Sequence, residues 1–222
     1  MTASSYLHSV RASYDAVAVD YARLLGTELA GKPLDRAMLA AFAECVRGKA
    51  GGVGRAVADL GCGPGRVTAH LDGLGVRAFG VDLSPAMVAV ARRAYRGLRF
   101  EVGSMAALDV ADGVLGGVLA WYSTVHTPPS ELPGVFREFT RVLAPGGHAL
   151  IAFEAGDERV RLEHAYGHAV DLDLYRIPPD RIAALLAGAG LTEVARLLRE
   201  PTPQEASPQG FLLARKGQSG PS

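Results

Sequence analysis

Cysteine is scarce in this sequence. Cys45 and Cys62 are the only two among 222 residues, which excludes a disulfide-built scaffold, and neither has companions at metal-ligand spacing. Surplus charge is missing as well: 23 Lys and Arg are balanced by 23 Asp and Glu, so the chain lacks the basic excess that marks a nucleic-acid binder. The short basic run of Arg92, Arg93, Arg96 and Arg99 reads as the solvated face of a helix. Long apolar runs are also lacking, because Gly, Pro and charged residues interrupt every stretch that approaches a membrane span. Met1-Thr2-Ala3-Ser4-Ser5 precedes Tyr6 without the charged segment and apolar run of a secretory leader. The expectation is a cytoplasmic protein with no membrane or nucleic-acid partner, monomeric or homodimeric.

What is present suits one α/β domain. The composition is 49% hydrophobic and 21% charged, and the length allows one good core with some decoration. The first fifty residues read as helices. Val17, Tyr21, Leu24 and Leu25 fall at helical spacing, and Leu34, Met38, Leu39, Phe42 and Val46 share a second face. Gly48, Gly51, Gly52 and Gly54 then end the helical part.

From residue 56 the pattern becomes strand, turn, helix, repeated. Strands are predicted over 56–60, 77–81, 98–102, 114–121 and 148–153, with helices over 66–74, from Pro85 after the N-cap Ser84, and over 131–142. Buried strands separated by helical crossovers imply a mostly parallel sheet covered on both faces. The last third is predicted as a helix over 180–189 and strands over 192–198 and 210–215, joined by a Pro-rich loop from Pro201 to Pro208. Strands joined without a helix should be antiparallel neighbours, so an antiparallel hairpin closes the sheet. The tail from Gly217 to Ser222 is expected to be disordered.

The sharpest local feature is Asp59-Leu60-Gly61-Cys62-Gly63-Pro64-Gly65, between a strand and a helix. Glycines there permit positive φ and close approach of a ligand to the backbone, and amides at a helix start favour an anionic group. Three ligand classes compete. A P-loop needs Gly-Lys-Ser or Gly-Lys-Thr, but Gly65 is followed by Arg66-Val67-Thr68. A dinucleotide fingerprint needs a third glycine where Arg66 stands. Adenosylmethionine has no phosphate and needs partners for a carboxylate and an ammonium. Asp82, in Gly80-Val81-Asp82-Leu83-Ser84, lies 23 positions after Asp59, where a carboxylate binds two ribose hydroxyls of either an adenosine cofactor or NAD.

Residues 56 to 154 resemble the class I S-adenosylmethionine-dependent methyltransferases of the small-molecule type. The resemblance rests on Asp59 to Gly65, on Gly80 to Pro85, on Gly103-Ser104-Met105-Ala106 after strand three, and on Leu143-Ala144-Pro145-Gly146-Gly147 before strand five, all in the family's order. It implies a Rossmann-like seven-stranded sheet, mostly parallel, with its last two strands as the reversed hairpin. It implies that the whole of 1–222 is one methyltransferase domain: a helical cap over 1–55, a cofactor-binding core over 56–154, a substrate-side segment and terminal hairpin over 155–216, and the tail. For the cofactor, S-adenosyl-L-methionine, it implies Gly61, Gly63 and Gly65 at the methionine part and Asp59 at its ammonium, directly or through water. It further implies Asp82 and Leu83 at the ribose, and Ser104, Met105 and Ala106 at adenine. Asp59 departs from the family's commoner Glu.

The strand-four terminus, Trp121-Tyr122-Ser123-Thr124-Val125-His126, faces the same crevice. Trp121 and Tyr122 are expected to wall the cofactor and acceptor, and His126 is the candidate acid-base group because imidazole titrates near neutral pH. In the resembling family an N-terminal helix often covers the cofactor and brings a tyrosine near the sulfonium, which nominates Tyr14 and Tyr21. His126, Tyr14 and Tyr122 are thus the candidate catalytic residues. His164 and His168, four apart, would share a helix face, but a third ligand is lacking and no metal is expected; Tyr166, Asp171, Asp173 and Arg176 stand nearby as polar surface or acceptor contacts. His70 and His148 read as structural. The expected activity is methyl transfer to a small molecule. A non-catalytic adenosylmethionine-binding protein and an NAD-dependent oxidoreductase stay open.

Overall fold

A computed structural model describes residues 3–47 and 54–218 of the chain. Gly48, Gly51 and Gly52, expected to end the second helix, lie outside the described residues, as do residues 219–222 of the tail; 217 and 218 carry no regular structure.

Five short apolar runs make the parallel part of the sheet: β1 (Val57–Leu60), β2 (Ala78–Asp82), β3 (Phe100–Val102), β4 (Leu115–Trp121) and β5 (Leu143–Glu154). β1 is buried along its whole length, as a strand covered on both faces must be. The crossovers carry α3 (Arg66–Gly73), α4 (Pro85–Ala94) and α5 (Leu132–Val142). Ser84 caps α4 by accepting from the Met87 amide at 3.1 Å, with Pro85 in the first turn where its missing N–H costs nothing. α5 buries Leu132, Val135, Phe136, Phe139 and Val142, the three- and four-residue spacing of one apolar stripe.

After α6 (Pro179–Gly188), strands β8 (Leu191–Arg199) and β9 (Gln209–Lys216) complete a seven-stranded sheet of order β3-β2-β1-β4-β5-β9-β8. β9 runs antiparallel to both β5 and β8, so the reversed hairpin stands as expected. Element edges fall within two residues of expectation, except at 143–147. There α5 passes straight into β5, Leu143 pairs with Leu115, and a register shift absorbs Ala144 to Gly147 before His148 pairs with Gly117.

The N-terminal part folds as α1 (Ala3–Leu25), a 3-10 turn (Glu28–Gly31) and α2 (Pro33–Val46). α2 lays Leu39, Phe42 and Val46 on the sheet, and α1 packs Val17 and Ala18 on Met87 of α4. Two residues of the expected apolar faces turn outward: Leu24 and Leu34 are exposed, because each helix needs only the stripe that meets the domain.

The polar stretch to which the sequence assigns no element, residues 158–176, forms a separate antiparallel pair, β6 (Glu158–Ala165) and β7 (His168–Arg176). Tyr166 and Gly167, at φ 55° and 85°, make the two-residue turn that joins them. His164 faces Ala169 and His168 faces Ala165 across this ladder, so the two histidines share no helix face. Among the described residues no group of three or more His, Cys, Asp or Glu is arranged to hold a metal ion, and no helix is long and apolar enough to cross a membrane.

Candidate functional site

The carboxyl ends of β1, β2 and β4 open into a cleft roofed by α1, at the place where open α/β sheets bind ligands. Gly61 and Gly63 form part of its floor, Asp82 and Leu83 stand at the end of β2, and Ser104, Met105 and Ala106 follow β3. Trp121, Tyr122 and His126 come from the end of β4, while Tyr14 and Tyr21 reach in from α1. Asp59 and Gly65 do not line it. Asp59 lines a smaller adjoining cavity together with Arg66.

The glycine loop contributes shape rather than donors. Gly61 adopts φ +71°, and a Cβ there would lie 2.3 Å from Cβ of Ser123, so only glycine lets the ends of β1 and β4 touch. Gly65, at φ +85°, would put a Cβ 2.7 Å from the Phe100 ring, so glycine there lets the loop pack against β3. The loop's amides are spent inside the protein. Gly61 N and Cys62 N donate to the Val81 carbonyl at 2.7 and 3.2 Å, and Gly65 N donates to the Cys62 carbonyl at 3.1 Å. Gly63 N donates to Oδ2 of Asp82 at 2.7 Å.

Asp82 is fixed from both sides, since its Oδ1 also accepts from the Ser84 amide at 2.8 Å. Burial raises its pKa, and the two amide hydrogen bonds oppose that rise. Each oxygen keeps a second lone pair, which suits a pair of vicinal hydroxyls. Asp59 is more deeply placed. Oδ2 accepts from the Thr68 hydroxyl at 2.6 Å, Oδ1 is buried with no partner, and burial pushes the carboxyl up to about 7.

Under α1 a chain of hydrogen bonds is laid out. His126, 7% exposed, ends the 3-10 turn after β4. Its Nδ1 stands 2.7 Å from the Asp173 backbone carbonyl of β7. A carbonyl only accepts, so Nδ1 carries the hydrogen, and Nε2 is left to accept from the Tyr14 hydroxyl 2.8 Å away. Burial lowers the pKa of His126, with the Asp173 carbonyl opposing, so the ring is neutral near pH 7. Burial also raises Tyr14 well above the ordinary phenol range. Tyr122 is placed differently. Its backbone takes φ +55°, its ring meets Trp121 and Phe211 edge-on, and its hydroxyl is buried without a partner.

The sequence reading missed several features. Tyr6, Leu7, Val10 and Arg11 line the cleft beside Tyr14; their signal is the three- and four-residue spacing along α1. Asp15 fastens α1 to the start of α4, accepting from the Ser84 hydroxyl at 2.6 Å and the Ala86 amide at 3.1 Å. β7 holds the other flank of α1. The Ser9 hydroxyl donates to the Asp171 carbonyl at 2.6 Å, the Asp171 amide donates to Ser13 at 3.0 Å, and His168 lies 2.9 Å from Asp20.

Residues 57–147 match a family described as a methyltransferase domain. A demethylmenaquinone methyltransferase of Chlorobaculum parvum is 33% identical over 96 residues, 43% of this chain and 39% of that protein. An uncharacterized methyltransferase of a Mycobacterium species is 31% identical over 127 residues, 55% of this chain and 50% of that protein. The chain thus spans half or less of the length of these curated relatives. The crystal structure of magnesium protoporphyrin IX methyltransferase from Synechocystis, with bound SAM, superposes with a TM-score of 0.72 at 16% identity, over 96% of this chain and 97% of that one. That likeness is one of fold.

Proposed function

We propose that this chain, which belongs by its fold and its methyltransferase domain to the class I S-adenosylmethionine-dependent methyltransferases, methylates a hydroxyl group of a small organic molecule. The cofactor reading is supported by residues that suit each of its parts. Asp82 has lone pairs to spare for two ribose hydroxyls, the Gly103 to Ala106 loop offers an edge for adenine, and the unpartnered Oδ1 of Asp59 is an acceptor in want of an ammonium. The printed substrates of the relatives, demethylmenaquinone and magnesium protoporphyrin IX, support a small organic acceptor.

One observation carries the choice of a hydroxyl: the Tyr14–His126–Asp173 chain of hydrogen bonds. The cofactor supplies a methyl group already activated on a sulfonium, so the protein has to align the acceptor, exclude water and remove a proton. The acceptor hydroxyl gives its proton to the Tyr14 oxygen as Tyr14 gives its own to Nε2 of His126. The imidazolium so formed is held by its Nδ1–H on the Asp173 carbonyl. An acceptor already ionised or without a proton would need none of this. Tyr122, its hydroxyl turned into the protein, serves as a wall.

Transfer of labelled methyl from S-adenosylmethionine to a panel of small hydroxyl-bearing metabolites tests this reading. With the acceptor so found, His126→Ala should lower kcat about 100-fold or more, the range of general-base catalysis, with cofactor affinity within about threefold. Cofactor binding with transfer to no acceptor would instead make the chain a binding protein.

A further inference from the structure

Beside Tyr14 the cleft is apolar but for one charge. Tyr6, Leu7, Val10 and Met105 give it ring and alkyl surface. Among the described residues that line the cleft, Arg11 is the only cation, and Asp82, the only anion, is held at the floor by two amides. The donors of Arg11 are uncommitted. Its Nε stands 3.8 Å from Oδ2 of Asp15, beyond hydrogen-bond reach, and the Arg11 side chain is half exposed. Asp15 is itself tied to α4 through its other oxygen. The arginines of the hairpin are spent instead: Arg159 and Arg161 on Asp173, and Arg176 on Glu154 and Glu158 at 3.0 and 2.6 Å.

We propose that the acceptor is a phenolic acid, whose hydroxyl faces Tyr14 and whose carboxylate is held by Arg11, with its ring between the apolar walls. This rests on the hydroxyl reading above. Arg11 and Tyr14 are three residues apart, so both face the cleft within one turn, about 4.5 Å apart along the axis of α1. A guanidinium takes a carboxylate through two parallel N–H bonds, and drawing Arg11 from Asp15 costs little because an exposed ion pair contributes little. The choice of a phenol follows from the base. Burial makes His126 a weaker base than free imidazole, and a phenol, with an ordinary pKa of about 10, gives up its proton far more readily than an alkanol. In the transfer an O–CH3 bond forms as the S–CH3 bond breaks, the sulfur keeps the electron pair, and the phenol's proton passes by Tyr14 to Nε2 of His126. The carboxylate is unaltered in the product, an aryl methyl ether.

The test sets 3- and 4-hydroxybenzoate and 3- and 4-hydroxyphenylacetate against their primary amides, with labelled methyl supplied on S-adenosylmethionine and products identified by mass spectrometry. At least one acid should become its methyl ether with kcat/KM about 30-fold above that of its amide, the order expected for a lost charge-assisted hydrogen bond. Arg11→Met should bring that ratio to about one, Arg11→Lys should restore part of it, and neither should move S-adenosylhomocysteine affinity more than twofold. Amides methylated as well as acids, or a ratio unchanged in Arg11→Met, would overturn the proposal. So would a loss of S-adenosylhomocysteine affinity in Arg11→Met, which would set Arg11 against the cofactor, or a methyl ester as product, which would set the carboxylate at Tyr14. Conversion of a neutral hydroxyl compound but of none of these acids would overturn it and leave the hydroxyl reading standing. Transfer to nitrogen or carbon alone, or to no compound at all, would end both.

Discussion

The floor of the cleft and its cover are held by different kinds of bond. On the floor, Gly61, Cys62, Gly63 and Gly65 are tied through their own amides, and Asp82 is clasped between two of the backbone's N–H groups. The cover, α1, is held at its flanks by side chains: Asp15 to α4, and Ser9, Ser13 and Asp20 to β7. Several of these lie at the surface, where ion pairs contribute little. Backbone ties survive most substitutions, and side-chain ties do not. The floor is therefore fixed by the backbone, whereas the place of the cover depends on its side chains. Substitutions on the floor should change cofactor affinity, whereas substitutions at the cover should change turnover and the acceptor's KM.

The largest effect is expected on the floor. Asp82→Ala should weaken S-adenosylhomocysteine about 100-fold in a calorimetric titration, since two hydrogen bonds to a charged group are lost. An affinity within threefold of the unaltered chain would remove Asp82 from the ribose site. At the cover, Tyr14→Phe should lower kcat about tenfold while leaving cofactor affinity nearly unchanged. A loss of affinity of the same size would blur the division between cover and floor.

Asp59 sharpens the comparison through pH. Burial holds its carboxyl at about 7 in the folded chain, against 3.8 as its ordinary value. Between those values the folded protein keeps a proton that the unfolded chain has released, so the stability of the unliganded protein should fall as pH rises from about 4 to about 7. Asp59→Asn should remove this fall, as read from thermal midpoints at pH 5 and pH 8. In the unaltered chain a bound ammonium favours the carboxylate, so S-adenosylhomocysteine should bind more tightly as pH rises towards 7, releasing a proton on binding at pH 6. Affinity independent of pH across this range would separate Asp59 from the ammonium. The smallest effect belongs to the outer latch. His168→Ala, which unties Asp20 from β7 and leaves it to Arg23, should raise the acceptor's KM about twofold and leave cofactor affinity alone.

The floor was largely legible in the sequence because its geometry depends on residue type. Only glycine fits at Gly61 and Gly65, and a strand, a glycine turn and a helix follow one another with little room for another reading. At Gly65 the sequence shows that glycine is required without showing that the Phe100 ring is the neighbour that requires it. The cover was legible in part. Tyr14 and Tyr21 follow the spacing of α1, but nothing in the sequence marks Asp15, whose partners come from α4.

The hairpin of β6 and β7 was missed although Arg159, Arg161 and Glu163 alternate with Val160 and Leu162; its strands meet the body of the protein over few buried residues, such as Leu172 and Asp173, so no apolar run marks them. The group that orients His126 is a backbone carbonyl, which has no signature in the residue types. Arg66 was read only as a missing glycine. Its unpartnered nitrogen appears once α3 and the 3-10 turn are placed together.

The central claim, that this floor is shaped for S-adenosylmethionine rather than for a dinucleotide, is tested most directly by titrating the full chain with S-adenosylhomocysteine and with NAD in parallel. The expected result is saturable one-to-one binding of S-adenosylhomocysteine and no binding of NAD. Saturable binding of NAD with none of S-adenosylhomocysteine would contradict it.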